Sequence, residues 1–291
     1  MTDARGRSAL VLVATPIGNL GDLSPRAVDE LRGADWIYAE DTRRTRALLS
    51  HIGVAAGGRL RSLHSHTELS QGVEVVAQIR SGARVVYVSD AGMPGVSDPG
   101  ERLVGLCADA DLVVECVPGP SAVLAALVLS GLPTVPFTFI GFLERKGPDR
   151  AAQLGVIRAS SITTVLFEAP TRLGATLGDL AASSGGSRTA AVVRELTKVH
   201  EEVRRGTLDE LVRAVDDGSL VARGECVIVV GGATEPVREV DPEVVAADAD
   251  QMLADGLRTR DAADALVARH GMHRRAAYDL VVARAALRRQ R

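Results

Sequence analysis

Short apolar runs rich in β-branched residues alternate with helix-like patterns through the first half of this chain. That alternation limits the fold more than any single residue does. Ala9–Ala14, Trp36–Ala39, Arg59–Leu63, Arg84–Ser89 and Leu112–Val117 read as strands. Pro25–Leu31, Thr42–His51, Leu69–Ser81, Gly100–Asp109 and Ser121–Ser130 read as helices between and after them. Strand and helix in repeated succession specify an α/β layer with a largely parallel sheet. Parallel strands deliver their carboxyl ends to one edge, and ligands bind there.

"SGLPTVPF", Ser130 to Phe137, is a Gly/Pro-rich connector, and a second α/β block follows it. Its strand candidates are Thr138–Gly141, Thr163–Phe167, Thr189–Arg194, Val199–Arg204 and Cys226–Val230. Its helix candidates are Pro148–Ala159, Thr171–Ser183 and Leu208–Asp216. "GGATEPVREVDPE", Gly231 to Glu243, reads as a linker, and from Val244 onward the chain is helical in pattern. The expected division is therefore 1–132, 133–232 and 233–291. The last part is charge-asymmetric: residues 258–291 carry nine Arg against three Asp, so a nucleic-acid contact is open there. Its helix, His270-Gly271 turn and second helix from about Arg274 suit a helix-turn-helix, with a plain packed helical pair as the alternative.

With 291 residues, 46% of them hydrophobic, the chain can bury sizeable cores. A net charge of −3 makes no global case for nucleic acid. Cys107, Cys116 and Cys226 form no C-x-x-C and read as reduced core thiols of a cytoplasmic protein. The apolar run near the N-terminus is too short for a signal peptide, and no window suits a membrane span. His64, His66 and Glu68 are too sparse a set to predict a metal. Walker, G-x-S-x-G and H-E-x-x-H patterns are absent.

Four stretches at strand ends can carry chemistry. They are Thr15-Pro16-Ile17-Gly18-Asn19, "AEDTRRT" from Ala39, "VSDAGMPGVSDPG" from Val88, and "VPGPSAV" from Val117. Small residues at Ala91-Gly92 let a ligand approach the backbone. Asp98-Pro99 reads as the acidic cap and first residue of the following helix. Asp41 and Ser121 read as helix caps, and Ser121 can face a ligand from that position. These residues predict a cleft rich in backbone donors and acceptors without naming the ligand.

Taken in order, "TPIGNLGDLSPRA", "AEDTRRT", "SDAGMPGVSDPG", "PGPSA", "SGLPT", "GFLERKG", "FEAPTRL" and "RELTKVHEE" resemble the small-subunit (16S) ribosomal RNA methyltransferase I family. The resemblance covers about residues 9–232. It implies two α/β domains of the tetrapyrrole methylase type, a small helical C-terminal region, and a cleft for S-adenosylmethionine (SAM) between the two domains. By the same resemblance the loop with Pro16 and Gly18 bounds the cleft. Asp90, Ala91, Gly92, Met93 and Val96 line it, Ser121 and Ala122 hold another side, and Phe167 and Leu196 are wall residues. The family pattern has Thr, Leu and Ile where Met93, Gly95 and Val96 stand here, Pro at Glu144, and Tyr after Phe167.

The implied reaction is methylation of a cytidine 2′-hydroxyl, the family's cytidine 1402, in 16S rRNA of the 30S subunit, by a homodimer. A ribose hydroxyl is a weak nucleophile and calls for a base. Asp90, Glu40, Asp41, Glu195 and, with a depressed pKa, Lys198 are the candidates. Phosphates call for Arg and Lys, and Arg43, Arg44, Arg145, Lys146, Arg194, Arg274 and Arg275 are expected to supply them. The rivals are a tetrapyrrole methylase of the same fold and a non-catalytic RNA-binding assembly protein.

Overall fold

A computed structural model describes residues 8–64, 66–233, 242–270 and 274–289. The chain divides into two compact units, Met1–Ala233 and Thr234–Arg291.

The first unit opens with β1 (Ala9–Val13), α1 (Pro25–Gly33), β2 (Trp36–Ala39), α2 (Thr42–His51) and β3 (Leu60–Ser62). It continues with α3 (Glu68–Arg80), β4 (Arg84–Val88), α4 (Glu101–Asp109), β5 (Val114–Val117) and α5 (Ala122–Ser130). These five strands form one parallel sheet in the order β3-β2-β4-β1-β5. Residues of α1 and α2 (Ala27, Leu31, Leu49) pack on one face with Val11, Val13, Val86 and Val88. Residues of α3 and α4 (Val75, Ile79, Leu103, Cys107) pack on the other with Leu10, Val85 and Tyr87. Burial on both faces explains why β4 is apolar at nearly every position. The chain leaves β1 toward one face and β4 toward the other. The crevice between these neighbours is the switch point of the sheet, where such folds bind ligands.

The rest of the unit comprises β6 (Phe137–Phe142), α6 (Pro148–Ala159), β7 (Thr163–Glu168), α7 (Leu173–Ser184) and β8 (Thr189–Arg194). It ends with β9 (Glu202–Thr207), α8 (Leu208–Asp216) and β10 (Cys226–Val230). This sheet runs β6-β7-β10-β8-β9, parallel only between β6 and β7. Helices α6, α7 and α8 cover one face through Ile157, Leu177 and Leu211. Helix α5 covers the other through Val123, Ala126 and Leu127, packed with Val165, Val193 and Val229. Its sequence is apolar up to Ser130, so the helix buries Val123, Ala126 and Leu127 while Leu124 and Val128 stay exposed on its other side. Thr207 and Glu210 form a capping box that starts α8.

Two expectations shift. The strand expected at Val199–Arg204 begins at Glu202, because residues 195–201 form a tight loop. In it Lys198 N–H donates to Glu195 O at 3.0 Å, and Thr197 N–H donates to Glu201 Oε2 at 2.7 Å. Cys107 and Cys226 are core thiols, pushed up to about 11 by burial, but Cys116 is exposed on edge strand β5.

The second unit holds α9 (Pro242–Ala254), α10 (Thr259–His270) and α11 (Arg274–Arg289). Val245, Ala249, Met252, Ala262, Leu266, Ala277 and Val281 form its core. Asp248 pairs with Arg269 at 3.1 Å and His270 at 2.7 Å, and Asp250 pairs with Arg284. The turn expected between α10 and α11 lies outside the described residues.

Candidate active site

The loops leaving β1 and β4 are stitched together at the switch point. Thr15 N–H donates to Gly92 O at 2.9 Å, and Gly92 N–H donates to Thr15 O at 3.0 Å. Beneath them Thr15 Oγ1 donates to Ser89 O at 3.2 Å, and Ser89 Oγ donates to Gly92 O at 3.2 Å. Gly92 has φ +80°, a conformation that side chains resist, and a Cβ there would lie 3.3 Å from Ile17 Cγ2 and 3.4 Å from Pro120 O. The loop after β5 joins the same edge: Ala14 N–H donates to Val117 O at 3.1 Å, and Ser121 Oγ caps α5 through Leu124 N–H at 3.4 Å. Three strand-end stretches therefore converge.

Across from them stands the loop after β8. A Cβ on Gly18 would lie 2.5 Å from Lys198 Cγ and 2.7 Å from Leu196 O, so only glycine lets these loops close. Asn19 N–H donates to Thr197 Oγ1 at 3.0 Å. Glu195 and Thr197 take φ of +50° and +63°, strain of the kind that clusters at working sites. One apolar cluster then gathers Ile17, Ala91, Ala122, Val123, Phe167 and Leu196. Four expected cofactor residues, Ala91, Ala122, Phe167 and Leu196, thus meet although they span 105 positions. Met93 is half-buried and Val96 exposed in the same β4–α4 loop, which Gly95 N–H closes onto Pro99 O at 3.2 Å.

At the same edge a pocket of about 290 Å³ is lined by Thr15, Pro16, Arg44, Thr45, Ser89 and Asp90, among others. Acids crowd this edge. Glu40 follows β2, and burial, then the Asp90 charge, raise its carboxyl above the usual range. Asp90 Oδ1 accepts Asp41 N–H at 2.9 Å, while its Oδ2 lies 3.7 Å from Arg44. Asp41 caps α2 and bonds Arg43, whose guanidinium and backbone N–H hold it at about 2.

Lys198 departs from the expectation. Burial pulls its ammonium down, but bonds to Glu195 at 2.8 Å and Glu225 at 3.1 Å outweigh this and leave it above the usual lysine value. A base role needed a depressed lysine, so Lys198 does not meet its condition. The same ammonium, then Glu225 N–H, holds Glu195 below the usual range.

Asp98 is the other departure, and the residue that sequence reasoning missed. It is not the cap of α4. That helix starts at Glu101, and its free N–H groups at Gly100 and Leu103 donate to Glu68 Oε1 at 2.9 and 3.0 Å. Glu68 is buried for this purpose, 32 residues away from the first N–H it binds, and no local signal could have announced it. Asp98 is thereby free of capping, and burial followed by Glu40 and Asp90 pushes it up to about 7. Beneath the loop the Tyr87 hydroxyl is buried without a hydrogen-bond partner among the described residues.

Of the basic residues, Arg194 is tied to Glu202 at 2.7 Å and Arg43 to Asp41 at 3.1 Å. Arg145, Lys146 and Arg275 are exposed. The side chain of Arg274 lies outside the described residues. Among the described residues no helix is long and apolar enough to cross a membrane.

Comparison with known proteins accords with this geometry. The family of Tetrapyrrole (Corrin/Porphyrin) Methylases matches residues 9–212. The ribosomal RNA small subunit methyltransferase I of Mycobacterium bovis is 46% identical over 274 residues, 94% of either chain. Its namesake in Synechocystis sp. is 41% identical over 93% of this chain and 96% of that one. The structure of uroporphyrin-III C-methyl transferase from Thermus thermophilus, complexed with S-adenyl homocysteine, overlays with a TM-score of 0.52. It is 20% identical and covers 77% of this chain and 97% of its own, a likeness of fold. The site suits a cofactor of this kind: Gly92 lacks a Cβ that would press on Ile17 and Pro120, and an apolar cluster lies beside it. With relatives this similar along nearly its whole length, the chain belongs to the ribosomal RNA small subunit methyltransferase I family, on the tetrapyrrole methylase fold.

Proposed function

We propose that this chain methylates the ribose 2′-hydroxyl of a cytidine, position 1402, in 16S rRNA of the 30S subunit. The observation that carries the reading is the convergence of Ala91, Ala122, Phe167 and Leu196 on one apolar wall beside the Glu40–Asp90–Asp98 carboxylates. Bound SAM supplies a sulfonium methyl, which passes to the attacking oxygen as the carbon–sulfur bond breaks. The loops of Pro16, Gly92 and Ser121 orient the reactants, and orientation alone can contribute roughly 7–11 kcal/mol. The hydroxyl proton needs an acceptor as the new bond forms. Asp41 is committed to its cap and Glu195 to Lys198, which leaves Glu40 and Asp90 from the expected set, with Asp98 beside them. Asp98, at about 7, is the best matched to take a proton near neutrality.

Arg44, Arg145, Lys146 and Arg275 are the cations we assign to rRNA phosphates, with Arg274 in the same helix. The enzyme acts in the cytoplasm as a homodimer; Leu124 and Val128, 53% and 70% exposed one turn apart on α5, offer apolar surface for that contact. The test is radiolabelled SAM with 30S subunits from a strain lacking the equivalent enzyme. Label at a single cytidine 2′-oxygen is expected. Transfer to a tetrapyrrole and none to 30S particles would overturn the assignment.

A further inference from the structure

One aromatic side chain beside the crevice is half exposed at a sheet edge, and the backbone of the loop that follows it is held by side chains from below. Phe142, 52% exposed, ends edge strand β6. Its ring packs on Phe167, centroids 5.5 Å apart and tilted by 56°, and Phe167 packs edge-on with Phe139 at 5.0 Å. The register of β6 slips between Phe139 and Phe142. Gly141 takes φ +68° within that slip, and a Cβ there would lie 3.2 Å from Ser97 Oγ. Phe142 is thus set next to the β4–α4 loop that carries Val96 and Asp98.

The loop beyond Phe142 ends in Arg145 and Lys146. Its backbone is clamped from below. Arg172 Nη2 donates to Leu143 O at 2.7 Å, and Arg150 Nη1 donates to Glu144 O at 2.8 Å. Glu144 N–H donates to Gln153 Oε1 at 2.8 Å. The clamp is anchored on Glu168, whose side chain is fully buried, 3.3 Å from Arg172 and accepting from Thr176 Oγ1 at 2.6 Å. Arg150 closes the network on Thr176 at 3.1 Å and Asp179 at 2.7 Å. Arg145 and Lys146, immediately beyond these fixed carbonyls, have no partner among the described residues. Burying a carboxylate to hold the backbone of Leu143 and Glu144 in place is costly, and it makes sense where the next two residues must be aimed.

We infer that Phe142, Arg145 and Lys146 form a subsite for one unpaired nucleotide of the RNA substrate: its base stacks on the Phe142 ring and its flanking phosphates meet the two cations. An exposed aromatic ring beside unpaired cations is how single-stranded RNA is gripped. Glu168 and Arg172 are positioning residues for that subsite. The inference rests on the rRNA reading above.

The test uses the full chain. Fluorescein-labelled single-stranded RNA oligonucleotides and 30S subunits are titrated against wild type, Phe142→Ala, Phe142→Trp and the Arg145→Glu/Lys146→Glu double variant. SAM affinity is measured by calorimetry on each. Phe142→Ala is expected to weaken RNA binding about tenfold, and Phe142→Trp to restore it within about twofold, with SAM affinity unchanged. The charge-reversed variant flattens the salt dependence of RNA binding. Glu168→Gln raises the RNA dissociation constant about threefold and leaves the salt slope intact, because the cations remain but are no longer aimed. Weaker SAM binding with unchanged RNA binding in Phe142→Ala would make the ring a wall of the donor site and overturn the subsite. So would an altered sedimentation coefficient, which would make it a subunit contact, or equal RNA binding by all variants. A wild type that binds no RNA would instead bring down the rRNA reading, and the subsite with it.

Discussion

The two sheets of the first unit solve the same burial problem differently. In the parallel sheet every crossover helix carries the chain back, so β1, β2, β4 and β5 release their carboxyl ends at one edge. In the mostly antiparallel sheet neighbouring strands run opposite ways, so no edge collects all their ends, and β9 is half exposed. Their buried arginines differ too. Arg84 lies between Glu30 at 2.7 Å and Glu115 at 2.6 Å. Arg188 is satisfied by the carbonyls of Gly231, Arg158 and Ser160. The first sheet gathers charge and free backbone; the second supplies walls and clamps. A site at the switch point borrows chemistry from one and shape from the other.

The comparison breaks most sharply at Gly92. Gly92→Val is expected to weaken SAM binding at least 100-fold, about 2.7 kcal/mol, while far-UV circular dichroism stays native. Retained affinity in calorimetry would sink the crevice as the donor site. Next come the two arginines. Arg84→Met strands two carboxylates and should cost about 3 kcal/mol in urea unfolding, whereas Arg188→Met strands carbonyls and should cost about 1–2. Equal losses would erase the contrast between the sheets.

Asp98→Asn sharpens the charge argument. The folded state raises this carboxyl from 3.8 to about 7, so it binds the proton more tightly than the unfolded chain does. Stability from this group is therefore present at low pH and is lost as pH rises toward 7. Asp98→Asn should be the more stable protein at pH 8, on the order of 1 kcal/mol after solvent screening, with the gap closing near pH 4. Its methyl-transfer rate should also lose the ionisation limb near pH 7. A wild-type profile flat across that range would remove Asp98 from proton transfer. The smallest effect is expected of Ser121→Ala, about 1 kcal/mol of cap energy with SAM affinity unchanged within threefold. A larger loss of SAM affinity would make Ser121 a ligand contact as well as a cap.

Much of the crevice was legible because its parts are local. Thr15-Pro16, Ala91-Gly92 and Pro118-Gly119-Pro120-Ser121 announce turns and a cap at strand ends, each within a few residues. Asp98 was misread for the same reason. An acid before Pro99 looks like a helix cap, and the group that outcompetes it, Glu68, arrives from another helix. Phe142 was passed over because it lies just past the strand expected at Thr138–Gly141, and its exposure depends on β6 running on to it as an edge strand. Lys198 could not be judged without Glu225, which lies 27 positions further on.

By itself the sequence determined the succession of strands and helices, their approximate ends, and the family to which the chain belongs. These depend on side-chain period and on breakers acting over a few residues. Tertiary structure alone decided the strand order, the convergence of Ala91 with Leu196, and which carboxylates are capped, paired or left to titrate. Those outcomes depend on desolvation and charge between groups that meet only after distant elements pack.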